Sequence, residues 1–367
     1  MNTDFKSLFF IFFIFTGLIK AQTPPVVDTS DVVMKMVIAA NYKCDSAAVN
    51  LKNKNTKEAN KLYKQATKEY KIATKTNPAL YASWYRLGLV QTQTKDFKDA
   101  IISFDKALSI DTSRYEVYRA RGIAQLGLEK GKEAMADFNT AIDKNYDDVE
   151  AFYQRGILKE NPRDPQPAIA DYSRAIEINP NYKNAYIKRG IIYYNVVKDY
   201  VLALADFNKV LELDPDNNEV YLWRGKTKYS GGDYKGAEKD LSRYLDMEPE
   251  NVEALLIRGA NRININDNTG AIKDLDLVIK LDSKNFFAYM NRGTAKGAIK
   301  DFKGALADLD KSIALKFDFS SSYINRALVR YVSGDKKGAC ADLAKADGLN
   351  NAKAPALIEQ YCQGRGY

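Results

Sequence analysis

Histidine is absent from all 367 residues. Its absence removes the commonest general base and the commonest metal ligand together. Cysteine occurs three times, at Cys44, Cys340 and Cys362, too scattered to build a zinc site. Only one long apolar run exists, Leu8–Ile19, and it is too short for an ordinary membrane span. A phosphate loop is lacking too. Gly225-Lys226-Thr227 imitates the end of one, but Val220 stands where that motif needs glycine. No catalytic residue, cofactor or metal is expected, and the chain reads as a non-enzyme.

What is present is repetition. Residues 218–249 hold two short amphipathic helical patterns. Tyr221, Arg224, Gly225 and Lys228 share a face of the first, and Ala237, Leu241 and Tyr244 share a face of the second. Gly231-Gly232 separates them, Asp233 can cap the second, and Pro249 ends it. Helices this short are marginal alone and must pack on neighbours.

Those neighbours are copies. The first-helix glycine recurs as Gly88, Gly122, Gly156, Gly190, Gly225, Gly259 and Gly293, with Ala327 last, every 34 residues and once 35. The second-helix alanine recurs from Ala100 to Ala339, and four residues later stands Phe104, Phe138, Tyr172, Phe207, Leu241, Leu275, Leu309 or Leu343. An acid four before that alanine (Asp96, Asp164, Asp199, Asp233, Asp267, Asp301, Asp335) is read as a helix cap, with Lys130 the exception. The extra residue of the 35-residue repeat is expected in the turn near Val197. Arginine precedes the glycine or alanine in seven repeats, from Arg121 to Arg326, and aspartate precedes the second-helix aromatic or leucine in the same seven. The first repeat has Leu87 and Ser103 and loses both partners at once. This co-occurrence predicts seven Arg–Asp bridges between paired helices, rather than a nucleic-acid stripe.

The period and order resemble the tetratricopeptide repeat (TPR) over residues 81–353. The resemblance implies an all-α, right-handed superhelical solenoid of antiparallel helix pairs. It also implies an inner groove lined by first-helix residues three before the glycine: Tyr85, Arg119, Tyr153, Ile187, Leu222, Leu256, Met290 and Ile324. Residues one after it include Leu89, Ile123, Lys226, Thr294 and Leu328, and Tyr194, Tyr229 and Tyr331 lie one turn further on. Members that clamp a terminal carboxylate use a Lys/Asn pattern missing here. The expected partner is a helical or extended protein segment in an apolar groove, and some of these residues can equally pack the interior.

Residues 1–21 read as a signal peptide cleaved after Ala21, with an uncleaved anchor as the other reading. Residues 22–42 look like a tether. Residues 43–80 look like a degenerate capping repeat, whose nine lysines against three acids between 43 and 78 supply +6 of the chain's net +8. Those lysines are a solvated face or a contact for an anionic polymer or membrane surface. Residues 354–367 are read as a C-terminal capping helix. The stretch from Gly334 to Cys362 is similar to the ends of bacterial envelope TPR proteins, which implies a Cys340–Cys362 disulfide. Cys44 is then a lone thiol or pairs between molecules. The expected location is outside the cytoplasm, in the periplasm, with an extracellular or membrane-anchored protein as alternatives.

Overall fold

The computed structural model describes residues 32–362. The expected signal peptide, residues 22–31 of the expected tether, and residues 363–367 lie outside the described residues. The chain divides into two compact units, one ending at Tyr182 and the other starting at Lys183. Each consists of antiparallel α-helices, and no strand occurs among the described residues.

The first unit holds α1 (Val32–Lys52), α2 (Thr56–Thr76), α3 (Tyr81–Gln93), α4 (Phe97–Ile110), α5 (Tyr115–Leu126), α6 (Gly131–Lys144), α7 (Val149–Leu158) and α8 (Gln166–Ile178). Its opening pair corrects the sequence reading. The tether does not extend to residue 42, because α1 starts at Val32 and runs through that boundary. Val33, Val37, Ala40, Cys44 and Ala47 recur at helical spacing and are buried against Ala59, Tyr63, Ala66, Tyr70 and Ala73 of α2. Both helices have 21 residues, against 10 to 14 in the helices of the repeats that follow. The second helix keeps the 34-residue register, with Ala66, Tyr70 and Ala73 standing 34 residues before Ala100, Phe104 and Ala107, whereas the longer α1 does not. Cys44 is fully buried, and its thiol lies 4.0 Å from the Tyr70 hydroxyl. Of the two readings of Cys44, this burial favours the lone thiol over pairing between molecules.

The second unit holds α9 (Lys183–Ile192), α10 (Tyr200–Leu213), α11 (Asn218–Ser230), α12 (Tyr234–Met247), α13 (Val252–Asn264), α14 (Asn268–Leu281), α15 (Phe286–Ala298), α16 (Phe302–Leu315), α17 (Ser320–Ser333), α18 (Lys336–Gly348) and α19 (Ala354–Cys362). The extra residue of its first repeat is not in the connecting turn. It widens the end of the first helix into a π-helical turn, Tyr193–Val197, and Lys198 then adopts a left-handed conformation with φ 60°. Asp199 thereby stays in place as a cap, accepting from the Val201 and Leu202 amides at 3.1 and 3.0 Å. At the far end, Leu357, Ile358 and Tyr361 of α19 pack on Tyr323, Ile324, Leu343 and Ala346. Cys340 and Cys362 are joined as a disulfide across the same contact.

Two features hold each pair together. The glycine lets the second-helix side chain seat against the first helix's backbone: a Cβ at Gly88 would stand 2.5 Å from the Phe104 ring. Beside it runs a charged seam. All seven expected bridges form, each bidentate, as in Arg121 to Asp137 at 2.8 and 2.7 Å and Arg326 to Asp342 at 2.9 and 2.6 Å. The others are Arg155–Asp171, Arg189–Asp206, Arg224–Asp240, Arg258–Asp274 and Arg292–Asp308. All seven aspartates are buried. In five repeats a second cation, one turn after the arginine, reaches the same carboxylate: Lys159, Lys228, Arg262, Lys296 and Arg330. Periodicity shows this as a basic residue four after the arginine.

The caps are less uniform than their spacing. Asp233, Asp267, Asp301 and Asp335 each accept from the amide three residues on, at 2.8–2.9 Å. The Asp96 carboxylate accepts instead from the Thr94 hydroxyl and makes no cap bond. The helix α8 starts one residue later than expected, with Pro165 rather than Asp164 at its cap position.

Candidate functional site

Consecutive first helices touch one another within each unit: α3 with α5 and α5 with α7, then α11 with α13, α13 with α15 and α15 with α17. Their mutual contact brings the expected groove positions together along one side of each unit. The two units fill those positions differently.

In the first unit the three positions form a layer of tyrosines and ion pairs. Tyr85 is buried, its ring stacked 5.8 Å from Tyr81 and tilted 6.2 Å from Phe104. The Tyr81 hydroxyl donates to Glu116 at 2.8 Å. Arg119 donates to Asp148 at 2.7 Å, and that buried carboxylate also caps α7 through the Ala151 amide. Tyr153 is buried between Tyr172 and Tyr182, and Tyr182 donates to Glu150 at 2.6 Å. Burial pushes the Tyr85 phenol above its usual range. Burial opposes charge on Arg119 as well, but Asp148 and the neighbouring acids outweigh it and hold the guanidinium above its ordinary value. Among the described residues, these three positions form no open apolar track. Residues three before the glycine sit beside the second-helix ring that faces it, so Tyr85 meets Phe104 and Tyr153 meets Tyr172.

In the second unit Leu222 and Ile324 are buried, so these two are core as well. Leu222 shares one apolar cluster with Tyr229 and Leu256, and Met290 packs beside Leu309 and Val329. Ile187, Leu256, Met290, Tyr194 and Tyr229 keep part of their surface exposed. Tyr194 lies edge-on to Trp223, 5.9 Å between ring centroids, and Tyr229 lies against Tyr234. Burial raises the Tyr229 phenol. Lys226 is buried, its ammonium paired with Glu253 and set 4.2 Å over the Trp223 ring.

One open apolar surface of this unit lies further along. Between α15 and α17 a cavity of about 180 Å³ is lined by Thr294, Gly297, Ala298, Phe302, Asn325, Leu328, Val329 and Val332. Leu328 is 36% exposed and Val332 69%. Asn325 donates to the Thr294 hydroxyl at 3.0 Å. Thr294 and Leu328 are the positions expected one place after the glycine or alanine, whereas Val332 was not among the expected residues, although it stands four after Leu328 and is legible as the same helix face.

The tetratricopeptide-repeat family matches this chain twice, over residues 81–114 and 222–286. A search of curated proteins returns no match. Among solved structures the chain is similar to PilF of Pseudomonas aeruginosa, with 18% identity, 57% of this chain and 94% of that one covered, and a TM-score of 0.50. It is also similar to PilW, a type IV pilus biogenesis factor, at 22% identity over 57% and 94% with a TM-score of 0.47. YrrB, a TPR protein with an unusual peptide-binding site, gives 19% identity over 52% and 97% with a TM-score of 0.42. Both matched stretches lie inside the register that continues from residue 81 to 353, and the chain is a tetratricopeptide-repeat protein.

Proposed function

We propose that this protein is an exported scaffold that holds a segment of a partner protein against the first helices of its second unit. The supporting observation is the cavity between α15 and α17, where Leu328 and Val332 leave apolar surface open to solvent beside the polar side chain of Asn325. Of the expected groove positions, Tyr85, Tyr153, Leu222 and Ile324 are consumed by packing. A partner helix or strand could seat one apolar side chain in the cavity while the amide fixes its backbone. The Cys340–Cys362 disulfide supports a location outside the cytoplasm, in an envelope assembly.

A photo-crosslinking side chain placed at Val332 should capture one defined protein in living cells, with the crosslinked peptide mapping to a single apolar segment. Leu328→Asp with Val332→Asp should then weaken binding of that segment at least tenfold, about 1.4 kcal/mol, with Tm unchanged because both side chains are exposed. Undiminished binding by a folded double variant overturns the reading.

A further inference from the structure

The helix α2 carries six lysines at spacings of four and three: Lys57, Lys61, Lys64, Lys68, Lys71 and Lys75. That spacing sets them in one row along about 27 Å of helix. All six are exposed, on the side opposite Ala59, Tyr63, Ala66, Tyr70 and Ala73, which face the core. Two acids lie on α2, and both are engaged: Glu58 with Lys61, and Glu69 with Lys43 of α1. Among the described residues no carboxylate pairs with Lys57, Lys64, Lys68, Lys71 or Lys75. The one large apolar side chain beside the row, Ile72, is 48% exposed.

We infer that this row is a docking surface for an anionic lipid bilayer. The composition of the row selects that occupant over a linear polyanion. It holds no arginine fork and no aromatic face, and the first arginine of the chain is Arg86. Lysine acts as a mobile point charge that needs no fixed acceptor geometry, which suits a diffuse plane of headgroups. A straight ridge touches a plane along its whole length, whereas a nucleic acid or polysaccharide chain is held better by a groove with stacking or forked donors. Ile72 can enter the headgroup layer beside Lys71. No described helix is long and apolar enough to cross a membrane, so the contact is peripheral.

The test is sedimentation of the chain, purified as its own cells process it, with vesicles of phosphatidylcholine alone or with 30 mol% phosphatidylglycerol. Binding is expected only with phosphatidylglycerol, and should fall steeply between low and high salt. Lys57→Gln, Lys64→Gln, Lys68→Gln and Lys71→Gln together should lower partitioning at least a hundredfold, and the same four changed to Arg should restore it. A control neutralising Lys273, Lys284, Lys303 and Lys337 carries the same net charge and should bind as the parent does. Equal loss in that control, salt-insensitive binding to neutral vesicles, or a row variant that loses soluble polyphosphate but keeps vesicles, would each overturn the inference. Should the quadruple variant unfold, Lys64→Glu and Lys68→Glu singly give the same reading at smaller amplitude.

Discussion

The first repeat and the seven after it solve the same packing problem with different chemistry. Where the later repeats place a buried Arg–Asp bridge, α3 and α4 place Leu87 and Ser103, and the Ser103 hydroxyl donates to Gln91 at 2.7 Å. The reason lies next door. A seam arginine also reaches back sixteen residues, to the second helix of the preceding pair: Asp105, Asn139, Asn208, Ser242, Asp276 and Asp310 accept those bonds. Sixteen residues before Leu87 stands Lys71. An arginine at 87 would meet a like charge where its counterparts meet an acceptor, so the lysine row of α2 and the apolar seam of the first repeat belong together. What a repeat carries at its seam is decided by the pair before it as much as by its own two helices.

The comparison can be broken at several points. Arg121→Ala should have the largest effect, about 3–5 kcal/mol, because Gln125 stands at the position where other repeats carry a second cation and buried Asp137 is left without one. Arg258→Ala should cost less, about 1.5–3 kcal/mol, since Arg262 still holds Asp274 at 2.9 Å. Equal losses in denaturant unfolding would show that the second cation does nothing. Leu87→Arg comes next, at about 2–3 kcal/mol, from lost apolar burial and an unpaired charge. Adding Ser103→Asp and Lys71→Asp should recover most of it. A neutral Leu87→Arg would dissolve the link to Lys71.

Converting a later seam to the first repeat's chemistry should matter least of the stability changes. Arg121→Leu with Asp137→Ser should shift stability by no more than about 1 kcal/mol, because an ion pair replaced whole is often neutral. A loss matching that of Arg121→Ala would mean the charges are required for the fold itself.

The smallest effect concerns pH. The Asp206 seam has Tyr193 where five others have a second cation, and burial raises this carboxyl above its usual range despite Arg189. The folded state therefore binds that proton more readily than the unfolded state. Its contribution to stability is present at low pH and lost as pH rises through the raised value. Compared with Asp206→Asn, the parent should gain Tm as pH falls from neutral towards 4. Parallel profiles would remove Asp206 from the account.

Much of this was legible in the sequence, for a physical reason. A glycine facing an aromatic and an arginine facing an aspartate are pairwise constraints, and repetition prints each of them up to eight times. The helix pairs and all seven bridges follow from that. Three features stayed hidden. The helix α1 is too long for the register that α2 keeps, so only the spacing of Val33, Val37, Ala40, Cys44 and Ala47 announces it. The π-turn at Tyr193–Val197 depends on how a helix end absorbs an insertion, which composition does not encode. Whether Tyr85, Tyr153, Leu222 and Ile324 pack the interior or line a groove stayed open in one repeat's pattern, because the neighbouring helix that buries them is a tertiary fact.

The sealed thiol of Cys44 has a practical consequence. All three cysteines are among the described residues, and with Cys340 and Cys362 joined, Cys44 alone is free. Burial pushes its pKa up to about 12, so in the closed state it is both shielded and protonated. Alkylation then has to wait for α1 to lift from α2, and the labelling rate becomes a clock for fraying at this end of the molecule. The wild-type chain thus carries its own reporter. Vesicles that grip the lysine row should slow that clock, and a partner bound between α15 and α17 should leave it running as before.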